Sequence, residues 1–230
     1  MGFCSDYLML GVKGELSVTR FFLVAMVCLV LNVSAYGAEL RVSVQTTAGE
    51  KVNNAVISLK PLSPNLEMPK ATAEATMAQE NTLFKPFVLP VTVGTEVTFP
   101  NMDEFRHQVY SFSKPKRFEL RLYGKDTTNT ILFDKPGVVA LGCNIHDNML
   151  AYVYVSEHPV VGKTNDGGEV VFTDLPAGGY EVHVWHPDEQ RGGDDMKTVT
   201  LQDAGQGEVA LSIKLRSVRR QQQPPADEEY

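Results

Sequence analysis

One short segment of the chain carries three side chains that bind soft metals. Cys143, His146 and Met149 follow one another at intervals of three residues, between the end of one predicted strand and the start of the next. A tight loop at this place can turn all three side chains towards one point. A thiolate, an imidazole and a weak thioether are, together with a second imidazole, the ligands of a blue-copper site. The spacing therefore predicts a copper site on this loop.

The second imidazole has to come from another part of the chain. The other histidines are His107, His158, His183 and His186. His107 begins a predicted strand after a polar turn, and such a strand can reach the cysteine loop across a β-sandwich. Cu(I) prefers sulfur and Cu(II) accepts imidazole, so a mixed ligand set serves both oxidation states with little movement of atoms. A site whose positions are all filled favours electron transfer over enzymatic turnover.

Other chemistries of the same residues fit the pattern less well. Structural zinc prefers four cysteine or histidine ligands, and methionine is a poor one. A cysteine nucleophile and its histidine usually come from distant segments, whereas His146 lies three residues from Cys143 on one loop. Without a metal, Cys143 and Met149 are ordinary core residues and His107 is a structural strand histidine. Copper accounts for all of these residues together.

The N-terminal segment has the pattern of a secretory signal peptide. Residues 21–31 are apolar, Lys13 and Arg20 precede them, and small residues follow up to Ala38. The apolar run is shorter than the ~20 residues that span a membrane, although an uncleaved anchor is the alternative. We predict a signal peptide over residues 1–38 and export to the periplasm. Removal of these residues leaves Cys143 as the one cysteine, in an oxidising compartment.

Composition excludes several classes of protein. The 230 residues are 43% hydrophobic and 21% charged, which is ordinary for a globular protein. The net charge of −7, without a long basic block, excludes typical nucleic-acid binders. Three cysteines cannot form a scaffold of several disulfides.

About a dozen short runs of alternating or β-branched residues, separated by glycine and proline turns, predict an all-β fold. A boundary near His158-Pro159 divides the exported chain into a first domain of residues 39–158 and a small β domain of residues 159–217. Residues 218–230 read as a disordered tail. The Ala- and Glu-rich segment 69–82 fits either a short helix or a polar excursion. Trp185 is expected to pack between the two β domains.

The ligand segments resemble those of cupredoxins, the family of plastocyanin, azurin and amicyanin. The Cys-x2-His-x2-Met spacing is that of amicyanin, and the Phe-Pro-Asn-x-Asp segment before His107 resembles the one that bears the first histidine ligand. The likeness is strongest over residues 84–155. The two-part layout, with Trp185-His186-Pro187 in its second part, is similar to bacterial periplasmic plastocyanin-like or methylamine utilisation proteins. That second name reflects association and is not an activity.

The resemblance implies a Greek-key β-sandwich followed by a small transthyretin-like (carboxypeptidase regulatory-like) sandwich. It implies one type 1 copper ion, held by His107, Cys143, His146 and axial Met149. The function it implies is electron transfer, without enzymatic activity, between protein partners such as a dehydrogenase, a cytochrome or an oxidase. The alternatives are a periplasmic copper carrier without a redox role and a structural or carbohydrate-binding β module.

Some positions depart from the cupredoxin pattern. Gln108 follows the first histidine, where many cupredoxins have an asparagine that ties the two ligand loops together. Asn144 stands after the cysteine in place of serine or threonine, and Asp147 makes the surface beside His146 more polar.

Two further groups of residues suggest weaker hypotheses. His183 and His186 point to opposite faces of a strand, which disfavours a metal site shared by these two. A local basic cluster is either a solvated face or a docking site for an acidic redox partner. This cluster consists of Lys114, Lys116, Arg117, Arg121 and Lys125.

Overall fold

The computed structural model describes residues 37–190, 196–217, 220 and 222. Nearly all of the predicted signal peptide and tail lies outside these residues. The regular elements of the described residues are all β-strands, so the all-β prediction is confirmed. The described residues include no helix that is long and apolar enough to cross a membrane. The strands are β1 (Ala38–Thr46), β2 (Val56–Pro61), β3 (Glu74–Thr76), β4 (Ala78–Glu80), β5 (Leu83–Lys85), β6 (Val88–Thr92), β7 (Thr95–Pro100), β8 (His107–Ser111), β9 (Phe118–Tyr123), β10 (Thr128–Phe133), β11 (Gly137–Gly142), β12 (Leu150–Ser156), β13 (Val160–Lys163), β14 (Glu169–Leu175), β15 (Gly178–Trp185), β16 (Glu189–Gln190), β17 (Met196–Leu201) and β18 (Gln206–Leu215).

Strands β3 to β12 form the sandwich that carries the predicted ligands, which we call the ligand sandwich. One sheet has the order β6-β12-β11-β8-β9 and the other the order β10-β7-β3, while β4 and β5 form a separate hairpin. Alternate residues of the central strands point inward, as in β12, where Ala151, Val153 and Val155 are buried. The core between the sheets also includes Cys143 and Met149. The predicted ligand loop is therefore anchored in the core of this sandwich.

A second sandwich, the flanking sandwich, consists of β1, β2 and β13 to β18. Its sheets have the orders β14-β1-β18-β16 and β13-β2-β15-β17. The inward residues of β1, Leu40, Val42 and Val44, belong to its core. Strand β2 pairs antiparallel with β13, so that Leu59 lies opposite Val160. The ligand sandwich is therefore an insertion into the connection between two neighbouring strands.

This arrangement differs from the predicted boundaries. Residues 39–158 were predicted to form one domain, but β1 and β2 pair with strands that follow residue 158. Alternation along a strand shows which face is buried and does not show which strand is the neighbour. Segment 69–82, for which a helix was one option, contains β3 and β4; β3 pairs in parallel with β7.

The two sandwiches share a small apolar interface. It is centred on Val56 of the flanking sandwich and on Val88 and Tyr152 of the ligand sandwich. The Trp185 ring lies 6.0 Å from the Tyr152 ring and 5.2 Å from the Tyr154 ring, measured between centroids. Trp185 thus packs between the two β units, as the sequence predicts.

The insertion predicts that the flanking sandwich folds without the ligand sandwich. We expect a chain in which a short Asn-Gly turn replaces residues 62–158 to unfold cooperatively on heating, because β2 and β13 already lie side by side. It should bind no copper through a thiolate. Circular dichroism and calorimetry test this expectation; a chain without a thermal transition would show that the flanking sandwich depends on its insertion.

Candidate metal centre

The ligand loop is closed by the pairing of two neighbouring strands. β11 ends at Gly142 and β12 begins at Leu150, and these two residues lie opposite each other in the sheet. Within the loop, the Met149 amide donates to the His146 carbonyl at 3.0 Å. Cys143 therefore leaves the sheet beside the point where Met149 re-enters it.

His107 reaches this loop because β8 pairs with β11 next to it, with Tyr110 opposite Gly142. The Cys143 Sγ lies 4.0 Å from the His107 Nδ1 and 3.8 Å from the His146 Nδ1. The three ligand atoms all lie within 4.8 Å of one another. Metal–sulfur bonds of about 2.3 Å and metal–nitrogen bonds of about 2.0 Å permit sulfur–nitrogen separations up to about 4.3 Å. The arrangement fits a single ion.

Three of the four predicted ligands are almost completely buried. His107 is 0% exposed, Cys143 4% and Met149 2%, whereas His146 is half-buried. Met149 and Cys143 belong to the same core cluster and line the same cleft of about 450 Å³. The structure thus brings His107, Cys143 and His146 together with Met149 next to them, and the axial role of Met149 stays a prediction.

A carboxylate that the sequence analysis did not single out holds His107. The His107 Nε2–H donates to the Asp103 Oδ2 at 2.7 Å, which directs Nδ1 towards the sulfur. Asp103 in turn accepts the Asn81 amide at 2.7 Å and the Thr82 amide at 3.0 Å. Asn81 and Thr82 have positive φ values of 56° and 58° in the turn between β4 and β5, which presents both amides to the carboxylate. The Asp-x-x-x-His spacing was the available sequence signal.

The charges of this group support one another. Burial raises the pKa of Asp103, but the Thr82 amide, His107 and the Asn81 amide outweigh it and lower that pKa. Burial lowers the pKa of His107, but Cys143 and Asp103 outweigh it and raise that pKa. For Cys143, burial raises the thiol pKa, and His107 and the amides of Gln108 and Ile145 lower it below the ordinary value. The pocket therefore stabilises the thiolate form of Cys143 relative to that of an ordinary exposed cysteine.

The ligand loops are tied together by residues other than Gln108 and Asn144, the two positions that depart from the cupredoxin pattern. Gln108 turns away and donates to the Glu119 carboxylate at 2.6 Å, and Asn144 is exposed. Instead, the Asn148 side chain donates to the Thr82 carbonyl at 3.1 Å. The turn that holds Asp103 therefore also holds the cysteine loop.

An apolar cavity lies beside His146, whereas the exposed Asp147 lines the separate cleft of Cys143 and Met149. Phe105 is 43% exposed and Ile145 50% exposed, and together with Arg106 and His146 they line a cavity of about 340 Å³. The Phe105 ring lies 5.0 Å from the His107 ring and 5.6 Å from the His146 ring, measured between centroids. Burial, followed by the charge of His107, lowers the pKa of His146. The His146 imidazole is thus kept neutral at a hydrophobic surface.

The other singled-out residues do not belong to the group of three donors. His186 is buried, and its Nδ1 accepts the Asp188 amide at 3.1 Å. In the basic cluster, Lys116 pairs with Asp134 at 2.9 Å and Lys125 pairs with Glu104. The structure therefore gives two of the five basic residues of the cluster an acidic partner within the chain.

Comparisons with known proteins give structural matches and no sequence match. Neither a family model nor a curated protein matches the chain. The copper-containing nitrite reductase NirK of Thermus scotoductus SA-01 matches at 28% identity and a TM-score of 0.35, over 43% of this chain and 25% of that chain. A purple cupredoxin from Nitrosopumilus maritimus matches at 24% identity and a TM-score of 0.32, over 37% of this chain and 100% of that one. A reduced amicyanin variant matches at 19% identity and a TM-score of 0.34, over 43% and 99%.

Proposed function

We propose that the protein is an exported type 1 copper protein that carries single electrons between redox partners. The supporting observation is the placement of the Cys143 Sγ within 4.0 Å of the His107 Nδ1 and 3.8 Å of the His146 Nδ1. One thiolate and two imidazoles, together with a thioether, form the donor set of such a site. Copper, when bound, supplies the one-electron couple.

The chain's own residues hold the donors in place before any metal binds. Asp103 fixes the His107 ring, and the amides of Gln108 and Ile145 hold the Cys143 sulfur. Asn148 joins the cysteine loop to the turn that supports Asp103. Because the fold holds these ligands in place, their positions change little between the two oxidation states of copper. The reorganisation energy of electron transfer is therefore small. We assign the axial position to Met149.

Electrons are proposed to pass through the edge of His146. This ligand is half-buried, whereas His107 is fully buried. Phe105 and Ile145 surround it with apolar surface, which suits brief contact with a protein partner such as a dehydrogenase, cytochrome or oxidase. We propose that the basic cluster favours an acidic partner, since charges at a rim act mainly on the association rate.

The proposed location of the protein is the periplasm, because the N-terminal pattern is that of a signal peptide. We also propose the plastocyanin-like type, also called methylamine utilisation protein, with the flanking sandwich as its transthyretin-like part. No substrate is transformed in this proposal.

Reconstitution with copper tests the proposed function. One equivalent of Cu(II) added to the purified protein is expected to give an intense blue absorption and a narrow copper hyperfine splitting in the electron paramagnetic resonance spectrum. Ascorbate should bleach the colour and ferricyanide should restore it. A colourless protein that nevertheless binds copper tightly would contradict electron transfer and favour the copper-carrier alternative.

A further inference from the structure

A second group of metal-binding side chains lies at the junction of the two sandwiches. His158 follows β12, and its ring lies 4.9 Å from the ring of His183 on β15, measured between centroids. The seven residues of β12 separate His158 from the ligand loop at the other end of that strand. At ~3.3 Å per residue, the two histidine groups are about 20 Å apart or more. They form separate sites.

Each of the two rings has one nitrogen fixed by a neighbouring side chain. The His158 Nδ1 lies 2.9 Å from the Ser58 Oγ, and Ser58 is also hydrogen-bonded to Tyr154. The His183 Nε2–H donates to the Glu181 Oε2 at 3.0 Å. Such partners fix the tautomer and orientation of histidines that bind metals. They leave the His158 Nε2 and the His183 Nδ1 unbonded to any residue that the structure describes.

The supporting residues are positioned by strand register. Ser58 lies opposite His183 and Lys60 lies opposite Glu181 in the pairing of β2 with β15. Lys60 binds the Glu181 carboxylate at 3.1 Å, which holds that carboxylate against His183. The backbone of His158 is held by Ser156, whose hydroxyl accepts the His158 amide at 3.0 Å. Both rings are therefore held in place by hydrogen-bonded neighbours.

The surroundings favour a neutral imidazole beside a cation. Burial, followed by the charge of His183, lowers the pKa of His158 and so favours its neutral form. The negative charges of Glu157 and Glu181 raise the pKa of His158 and partly oppose this shift, whereas the positive charge of Lys60 lowers it further. In the tautomer whose Nδ1–H donates to the Ser58 Oγ, the Nε2 carries the lone pair. His183 is one-third exposed, which leaves a path for an ion and for the waters that complete its coordination.

The geometry points to a second metal site, in which the His158 Nε2 and the His183 Nδ1 bind a divalent transition-metal ion. Imidazole nitrogens suit Cu(II), Zn(II) and Ni(II), and Cu(II) binds most strongly to such donors. Because this site has no thiolate ligand, Cu(II) bound here gives no intense blue absorption. It does not depend on the proposed function, because neither ring belongs to the ligand loop.

The test is the number of ions bound by the full-length chain, purified without a polyhistidine tag. Equilibrium dialysis against Zn(II) is expected to give two ions per chain, and one ion for His183→Gln and for His158→Gln. With Cu(II), the second equivalent should add a resonance signal with wide hyperfine splitting, which both variants lack. Circular dichroism spectra recorded in parallel show whether the variants are folded.

A positioning role of Ser58 gives a graded readout. Ser58→Ala keeps both ligands but removes the partner of the His158 Nδ1, so we expect the second ion to bind about 10-fold more weakly at unchanged stoichiometry. His186→Asn is the matched control, because Asn retains an acceptor for the Asp188 amide and the histidine lies outside the pair. Equal stoichiometry in the unsubstituted chain, His158→Gln and His183→Gln would overturn the assignment, and so would loss of the second ion in His186→Asn.

Discussion

Replacing Cys143 with serine is expected to abolish the blue absorption of the copper-loaded protein and to leave its fold intact. The absorption of a type 1 site depends on a thiolate bound to copper, and among the described residues Cys143 supplies the thiol within 4.8 Å of both His107 and His146. Serine has nearly the same size, so the loss of this 4%-exposed side chain should create no cavity. Visible and electron paramagnetic resonance spectra check both parts of the prediction.

The variant should still bind Cu(II), because His107 and His146 keep their positions. Removal of the soft sulfur ligand leaves two imidazoles, which favour Cu(II) over Cu(I). We therefore expect a wide hyperfine splitting and slower reduction by ascorbate. Met149→Leu is the companion variant: it keeps the thiolate, so the blue colour should persist while the reduction potential changes. Blue absorption that survives in Cys143→Ser would place the copper elsewhere in the chain.

The sequence revealed the donors because they lie close together in the chain. Cys143, His146 and Met149 share one loop, and the spacing of that loop carries the chemistry. His107 was the one distant ligand that had to be inferred, and the polar turn before it placed it at the start of a strand. The pairing of Tyr110 with Gly142 then brings it beside the cysteine.

Residues whose role depends on distant pairing could not be predicted in this way. Asp103 and Asn148 act through the turn at Asn81 and Thr82; Thr82 lies 21 residues before Asp103 and 66 residues before Asn148. Likewise, the alternation of β1 indicates a half-buried strand but does not identify β14 and β18 as its neighbours. His183 lies near His158 only because β15 pairs with β2, a long-range register that no local motif records.

Asp103→Asn is expected to weaken copper binding by about 10- to 100-fold and to raise the reduction potential. Partners of metal-binding histidines typically have an effect of this size on affinity. The Asp103 carboxylate accepts the His107 Nε2–H at 2.7 Å and the amides of Asn81 and Thr82. An asparagine side chain can accept through one atom only, so the ring loses part of its support. Removal of a negative charge beside a ligand also stabilises Cu(I) relative to Cu(II), which raises the potential.

Glu104→Gln is a closely matched control for this prediction. It removes the same charge one residue further along, but the Glu104 side chain is 89% exposed and pairs with Lys125 on the surface. Solvent and salt screen an exposed charge of this kind, so its removal should leave copper affinity and potential nearly unchanged. Competition with a copper chelator and potentiometric titration measure the two quantities. Equal shifts in both variants would indicate a general effect of net charge, whereas a shift confined to Asp103→Asn would assign to Asp103 the orientation of His107.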